Sequence, residues 1–106
     1  MEIGVDIVYI PRLEGRDDLA KKILSDEEYE IYCSRLDKAQ FLAGRFACRE
    51  AFVKAKKGQI DFHQFNKIRV LYDAFNAPYL MYEGLKYPVS IAHDKDYAIA
   101  TVIVKR

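Results

Sequence analysis

FLAGRFACREAFVKAKKG, residues 41–58, is the stretch around which the rest of the chain is arranged. It contains no proline and carries apolar residues at helical spacing. Leu42, Phe46 and Val53 form one line; Phe41, Cys48, Phe52 and Ala55 form a neighbouring one. Asp37 is placed to cap the start, and Gly58 stands where a helix C-cap glycine is expected, after Lys54, Lys56 and Lys57. At about 100° per residue, Glu50, Lys54 and Lys57 share a face with Ala43, Phe46 and Ala47. A carboxylate and two ammonium groups therefore sit among small and apolar neighbours, and the two alanines leave room for something to approach. Glu50 and Lys54 also fit an ordinary i,i+4 surface pair worth about a few tenths of a kcal/mol. Arg45 and Arg49 project roughly 100° or more away from Glu50, towards another wall or a neighbouring subunit.

Towards the N-terminus, Met1 to Ile10 (MEIGVDIVYI) reads as a strand with apolar residues on both faces, hence a buried one. Asp6 lies in its middle. A lone carboxylate there costs about several kcal/mol unless it is paired, hydrogen-bonded or bound to a cation. Arg12 to Leu24 reads as an amphipathic helix with Leu13, Leu19 or Ala20, and Ile23 inward. Ser25 with Glu28 forms a capping box opening a further helix, Asp26 to about Leu36.

Beyond Gly58, residues 59–66 allow a single helical turn, followed by a strand at 67–73. Asn76 is the expected left-handed residue of the next turn. Residues 78–82 form an edge-like strand led by Pro78. Residues 88–93 and 97–104 form a hairpin whose last strand, apolar on both faces, is expected to be central. The order predicts one α+β domain over residues 1–106: an N-terminal strand, helices including one long core helix, then a C-terminal antiparallel β meander.

Composition narrows the function. The 106 residues are 51% hydrophobic and 31% charged, with a net charge of +1, which argues against a general nucleic-acid or membrane-surface binder. No signal peptide is expected, because the N-terminus runs straight into a strand pattern, and no apolar run approaches a membrane span. Cys33 and Cys48 lack metal-ligand spacing and read as inert thiols in a reducing cytosol. There is no P-loop and no GxGxxG. Asp6 and Glu50, two acids from different elements, match the usual protein share of a Mg²⁺ site, which leaves the remaining positions to water and substrate phosphates. Lys54 and Lys57 supply cations beside it. His93, ending a strand, is a candidate of lower rank, since a lone histidine is more often structural.

Gly4-Val5-Asp6, followed some forty residues later by Phe46-Ala47-Cys48-Arg49-Glu50-Ala51-Phe52-Val53-Lys54, resembles the signature of the 4′-phosphopantetheinyl transferases, in their small bacterial holo-[acyl-carrier-protein] synthase branch. KILSDEE, FLAGRFACREAFVKA and PVSIAHDKDYAIATVIV resemble further segments of that branch, so the similarity runs from about residue 2 to residue 104. The resemblance implies a Mg²⁺-dependent enzyme of the cytoplasm that moves phosphopantetheine from coenzyme A to a serine of an acyl carrier protein. It implies Asp6 and Glu50 as metal ligands, Lys54 near the diphosphate, and Arg45 and His93 at the coenzyme A site. It further implies Arg12, Arg16 and Lys22 facing the acidic helix of the carrier, and a homotrimer with active sites between subunits.

The chain also departs from that pattern. Arg49 stands where lysine is usual, Ala77 where the lysine of Gly-Lys-Pro is common, Ala92 where serine or threonine precedes the histidine, and Asp94 where threonine often follows. The alternatives are a non-catalytic carrier-protein or nucleotide-binding module descended from this family, and a small α+β interaction or RNA-binding domain.

Overall fold

A computed structural model describes residues 1–105. Five strands form one antiparallel sheet: β1 (Glu2–Tyr9), β2 (Arg69–Tyr72), β3 (Pro78–Tyr82), β4 (Leu85–Asp94) and β5 (Tyr97–Val104), in the order β1-β5-β4-β3-β2. Three helices, α1 (Asp17–Ile23), α2 (Asp26–Ser34) and α3 (Lys38–Ala55), precede the meander. Two 3₁₀ turns, Ile10–Leu13 and Phe62–Lys67, complete the chain. The architecture is α+β, with α3 packed across β1 and β5.

Gly4 allows that packing. A Cβ at this position would lie 1.8 Å from the carbonyl oxygen of Ala51, so only a residue without a side chain lets β1 lie directly against α3. Ala47, Cys48, Ala51 and Phe52 are fully buried in the resulting core. Ala43 and Ala47, expected to leave an approach open, are likewise fully buried, and the protein's own core fills that space. Burial pushes the Cys48 thiol up to about 12, whereas Cys33 is exposed.

The strands differ from expectation in their placement. β1 is an edge strand, not a buried one: Gly4 and Val8 face the core, while Ile3, Val5, Ile7 and Tyr9 are exposed. β5 is paired on both sides, but Tyr97 and Ile99 on its outer face are exposed. Together these side chains form an uncovered apolar surface on the side of the sheet away from α3. Sequence periodicity registers two apolar faces without distinguishing the core from a surface that stays uncovered. β3, expected at an edge, lies between β4 and β2, and β2 is the edge. Pro78 is tolerated because it only starts the strand, opposite Tyr72.

The helix expected over Arg12–Leu24 is two pieces. Gly15 adopts φ +69, which an α-helix cannot contain, and separates the first 3₁₀ turn from α1. The Ser25–Glu28 capping box opens α2 as expected. α3 begins three residues before Phe41, with Asp37 at its N-cap, but the Asp37 carboxylate accepts from Arg35 instead of capping the helix. At the other end both Lys57 (φ +56) and Gly58 (φ +77) take the left-handed conformation, so Gly58 closes the helix as expected, and its N–H donates to Val53 O at 2.9 Å. Glu83 and Gly84, both left-handed, form the turn that joins β3 to β4.

Candidate active site

Asp6, Glu50 and Lys54 are brought together where β1 crosses the C-terminal half of α3. Asp6 lies on the helix-facing side of β1, in register with Ala100 of β5. Its carboxylate is 18% exposed and not isolated: the Lys54 ammonium donates to Asp6 Oδ1 at 3.1 Å and to the Val5 carbonyl at 2.9 Å. The expected burial cost at Asp6 is thus met by a cation and by partial access to water. Glu50 is half-buried. Its carboxyl is held above its ordinary value, first by desolvation and then by the neighbouring charge of Asp6, with Lys54 opposing.

Glu50, near enough to feel the charge of Asp6 and like it partly open to solvent, makes with it a pair of oxygen donors whose repulsion a divalent cation would relieve. No group of three or more His, Cys, Asp or Glu side chains that could hold a metal occurs among the described residues. Asp6 and Glu50 therefore fit a cation that keeps most of its shell for water and substrate oxygens, as Mg²⁺ does. Lys57 lies beyond the end of α3, where helical spacing no longer applies. Its ammonium is 3.4 Å from Glu2 Oε1, so it stands near β1 but away from the acid pair's immediate contacts.

Arg45 and His93 meet in a different place. They line a cleft of about 290 Å³ together with Arg35, Asp37, Gln40 and Tyr72. Gly44 lies over the histidine; a Cβ there would lie 3.4 Å from His93 Nε2, so the helix sits directly on the end of β4. Arg45 and Glu50 are five residues apart on α3, about 140° around its axis, so the candidate site residues of one chain fall into two separate groups.

Arg49 joins neither group. It is fully buried and saturated: it donates to Glu28 Oε1 at 2.6 Å, to Glu28 Oε2 at 3.2 Å, and to the carbonyls of Phe65, Ile68 and Arg45. The expectation of a second wall or a subunit contact is corrected accordingly; the guanidinium fork ties α2, α3 and the start of β2 together. Glu28 was read only as a capping residue. The signal that it does more was its position four residues before Tyr32, on the buried side of α2, where a carboxylate calls for an internal cation. Tyr72, whose hydroxyl accepts from Arg45 Nη1 at 3.2 Å, was also missed, because strand alternation gives no hint of a cross-element partner.

Arg12, Arg16 and Lys22 are all exposed along the first 3₁₀ turn and α1. The Arg16 guanidinium is engaged by Asp18 at 3.0 Å.

This fold, with an acid pair and lysine at the crossing of its first strand and longest helix, is that of one enzyme family. The sequence profile of the 4′-phosphopantetheinyl transferase superfamily matches residues 2–102, and the chain belongs to that superfamily, an enzyme family of transferases. A holo-[acyl-carrier-protein] synthase of Staphylococcus carnosus is 39% identical over 112 residues, covering 98% of this chain and 96% of its own. The crystal structure of holo-[acyl-carrier-protein] synthase from Neisseria meningitidis superposes with a TM-score of 0.86 at 26% identity, covering 99% of this chain and 98% of its own. The Helicobacter pylori holo-[acyl-carrier-protein] synthase, crystallised in complex with coenzyme A, gives a TM-score of 0.83 at 30% identity over 97% of this chain and 99% of its own.

Proposed function

We propose that this chain, acting as one domain over residues 1–106, is a holo-[acyl-carrier-protein] synthase. It transfers the 4′-phosphopantetheine arm of coenzyme A to a serine of an apo acyl carrier protein and releases adenosine 3′,5′-bisphosphate. The observation that carries the reading is the Asp6–Glu50 pair with Lys54 on Asp6, in a chain whose full-length relatives bear that name.

The serine oxygen of the carrier attacks the phosphorus that bears the pantetheine arm and gives up its proton to water. The bond from that phosphorus to the oxygen of the adenosine-side phosphate breaks, and the bisphosphate leaves with the electron pair. Asp6 and Glu50 would hold Mg²⁺, which would act as a Lewis acid to offset the negative charge of the diphosphate. Lys54 adds a fixed positive charge beside the same oxygens, and Lys57 adds another at the same end of α3. Arg45 and His93, in their cleft, take an anionic part of coenzyme A.

The separation of the two groups around α3 supports an active site shared between subunits. The uncovered apolar face of β1 and β5, with Ile3 64% and Ile7 59% exposed, supports an assembly that covers it, here a homotrimer. Arg12, Arg16 and Lys22 form the surface offered to the acidic carrier. No helix among the described residues is long and apolar enough to cross a membrane. The cytoplasm is the location implied by the functional reading itself. Transfer by Glu50→Gln, compared with the parent at equal folded concentration, tests the assignment: the variant is expected to be inactive, and full activity overturns the role of the acid pair.

A further inference from the structure

We propose that Tyr72 is a positioning residue for Arg45, holding its guanidinium in the orientation in which the cleft takes an anionic group of coenzyme A. The inference rests on the functional reading above and concerns a residue that strand alternation does not single out.

The charge balance in this part of the molecule is uneven. Glu28, Arg45 and Arg49 are all buried, so one carboxylate faces two guanidinium groups. Glu28 is already committed: its Oε1 accepts from Arg49 at 2.6 Å and from Ser25 Oγ at 2.8 Å, and its Oε2 accepts from Arg49 at 3.2 Å. Arg45 Nε stands 3.5 Å from Glu28 Oε2, yet it has no hydrogen-bond partner although fully enclosed. Arg45 thus carries a positive charge, 5% exposed, that the protein does not neutralise in full. An arginine has five N–H donors. Among the described residues the Tyr72 hydroxyl is the one side chain that accepts from Arg45 at hydrogen-bond geometry.

Tyr72 also sets a second ring near the guanidinium. The guanidinium carbon lies 4.2 Å from the centre of the Phe41 ring and 5.2 Å from that of Tyr72. Phe41 comes from the same helix as Arg45, whereas Tyr72 reaches across from the edge strand β2. Contact with two rings restricts the guanidinium, and the hydroxyl accepts from one of its N–H groups, which favours one orientation. Apart from the enclosed Nε, the remaining donors are left for whatever enters the cleft that Arg45, Tyr72 and His93 line. A planar fork with preset orientation is what favours an anion over water. Tyr72 is 47% exposed at the sheet edge, so removing its hydroxyl leaves the core intact.

The experiment is a cycle of Tyr72→Phe, Arg45→Gln and the double variant. Each protein is titrated with coenzyme A by calorimetry and assayed for transfer to an apo carrier. Tyr72→Phe keeps the ring and loses the hydroxyl. Its KM and Kd for coenzyme A are expected to rise about tenfold, the lower end of the effect of one hydrogen bond to a charged group, with kcat within about twofold. In the Arg45→Gln background the same change is expected to have no further effect, because Tyr72 acts through Arg45. Unchanged coenzyme A binding in Tyr72→Phe overturns the inference. So does a penalty of equal size in both backgrounds, or a fall in kcat alone. A parent protein that does not bind coenzyme A overturns the functional reading and this inference with it; that result is distinguished by the parent titration.

Discussion

Arg49 and Glu28 are joined by two hydrogen bonds, 2.6 and 3.2 Å long, with neither side chain exposed to solvent. The residues lie on different helices, and the pair fixes the angle at which α2 meets α3. Removing Arg49 leaves a buried carboxylate facing only Ser25 and a distant Arg45. Arg49→Leu is therefore expected to cost about 3–5 kcal/mol of folding stability. Urea unfolding measures it, and a midpoint equal to the parent's contradicts it. Arg49→Lys keeps the charge but cannot reach Glu28, Phe65 O and Ile68 O together, so its loss is expected to fall between parent and leucine variant.

Gly4→Ala tests the contact that places Asp6. The added methyl meets the Ala51 carbonyl oxygen, which belongs to the helix backbone and cannot rotate aside. β1 must lift from α3, at a cost of about 1–3 kcal/mol in stability. Asp6 moves away from Glu50 with it. Thermal unfolding is expected to shift down and transfer to fall; an unchanged melting temperature contradicts the packing described.

Much of this was legible in the sequence, and the parts that were not share a cause. The long helix, the capping box at Ser25, the left-handed Asn76 and the strands at residues 78–82 and 97–104 follow from local chemistry: periodicity, side chain-to-backbone hydrogen bonds, and turn residues. Asp6 stood out because a carboxylate breaks an apolar strand, and Glu50 because it is the acid on a helix otherwise apolar or basic. Glu28–Arg49 and Arg45–Tyr72 did not stand out. Each partner alone fits an ordinary solvated position, and what makes them unusual is the burial that tertiary packing imposes. The exposed faces of β1 and β5 were misread for a related reason: alternation cannot say whether an apolar face is covered within the chain or outside it.

Glu50 gives the stability curve a defined sign. Its folded-state carboxyl sits above its ordinary value of 4.5, so the folded protein holds that proton more tightly than the unfolded chain. The resulting contribution to stability is fully present below pH 4.5 and is lost as pH rises through the folded value. Relative to the parent, Glu50→Gln is expected to be equally stable in acid and more stable at neutral pH. Mg²⁺ is expected to raise the neutral-pH melting temperature of the parent and leave that of Glu50→Gln unchanged. Calorimetric scans at both pH values check this; a parent whose advantage over the variant grows towards neutral pH contradicts it.

The uncovered sheet face predicts a change of assembly on introducing charge. Ile7→Lys places an ammonium in the middle of the apolar surface, next to Ile99 across the strand pair. The parent is expected to sediment as a trimer and the variant as a monomer with an unaltered circular dichroism spectrum. Identical sedimentation of the two contradicts an assembly through this face.

The most direct test of the central claim is the intact mass of an apo acyl carrier protein incubated with this enzyme, coenzyme A and Mg²⁺, with EDTA in a parallel reaction. The account predicts that the carrier gains the mass of one phosphopantetheine arm and that EDTA abolishes the gain. A folded enzyme that leaves several apo carriers unmodified, or that modifies them equally well in EDTA, contradicts it.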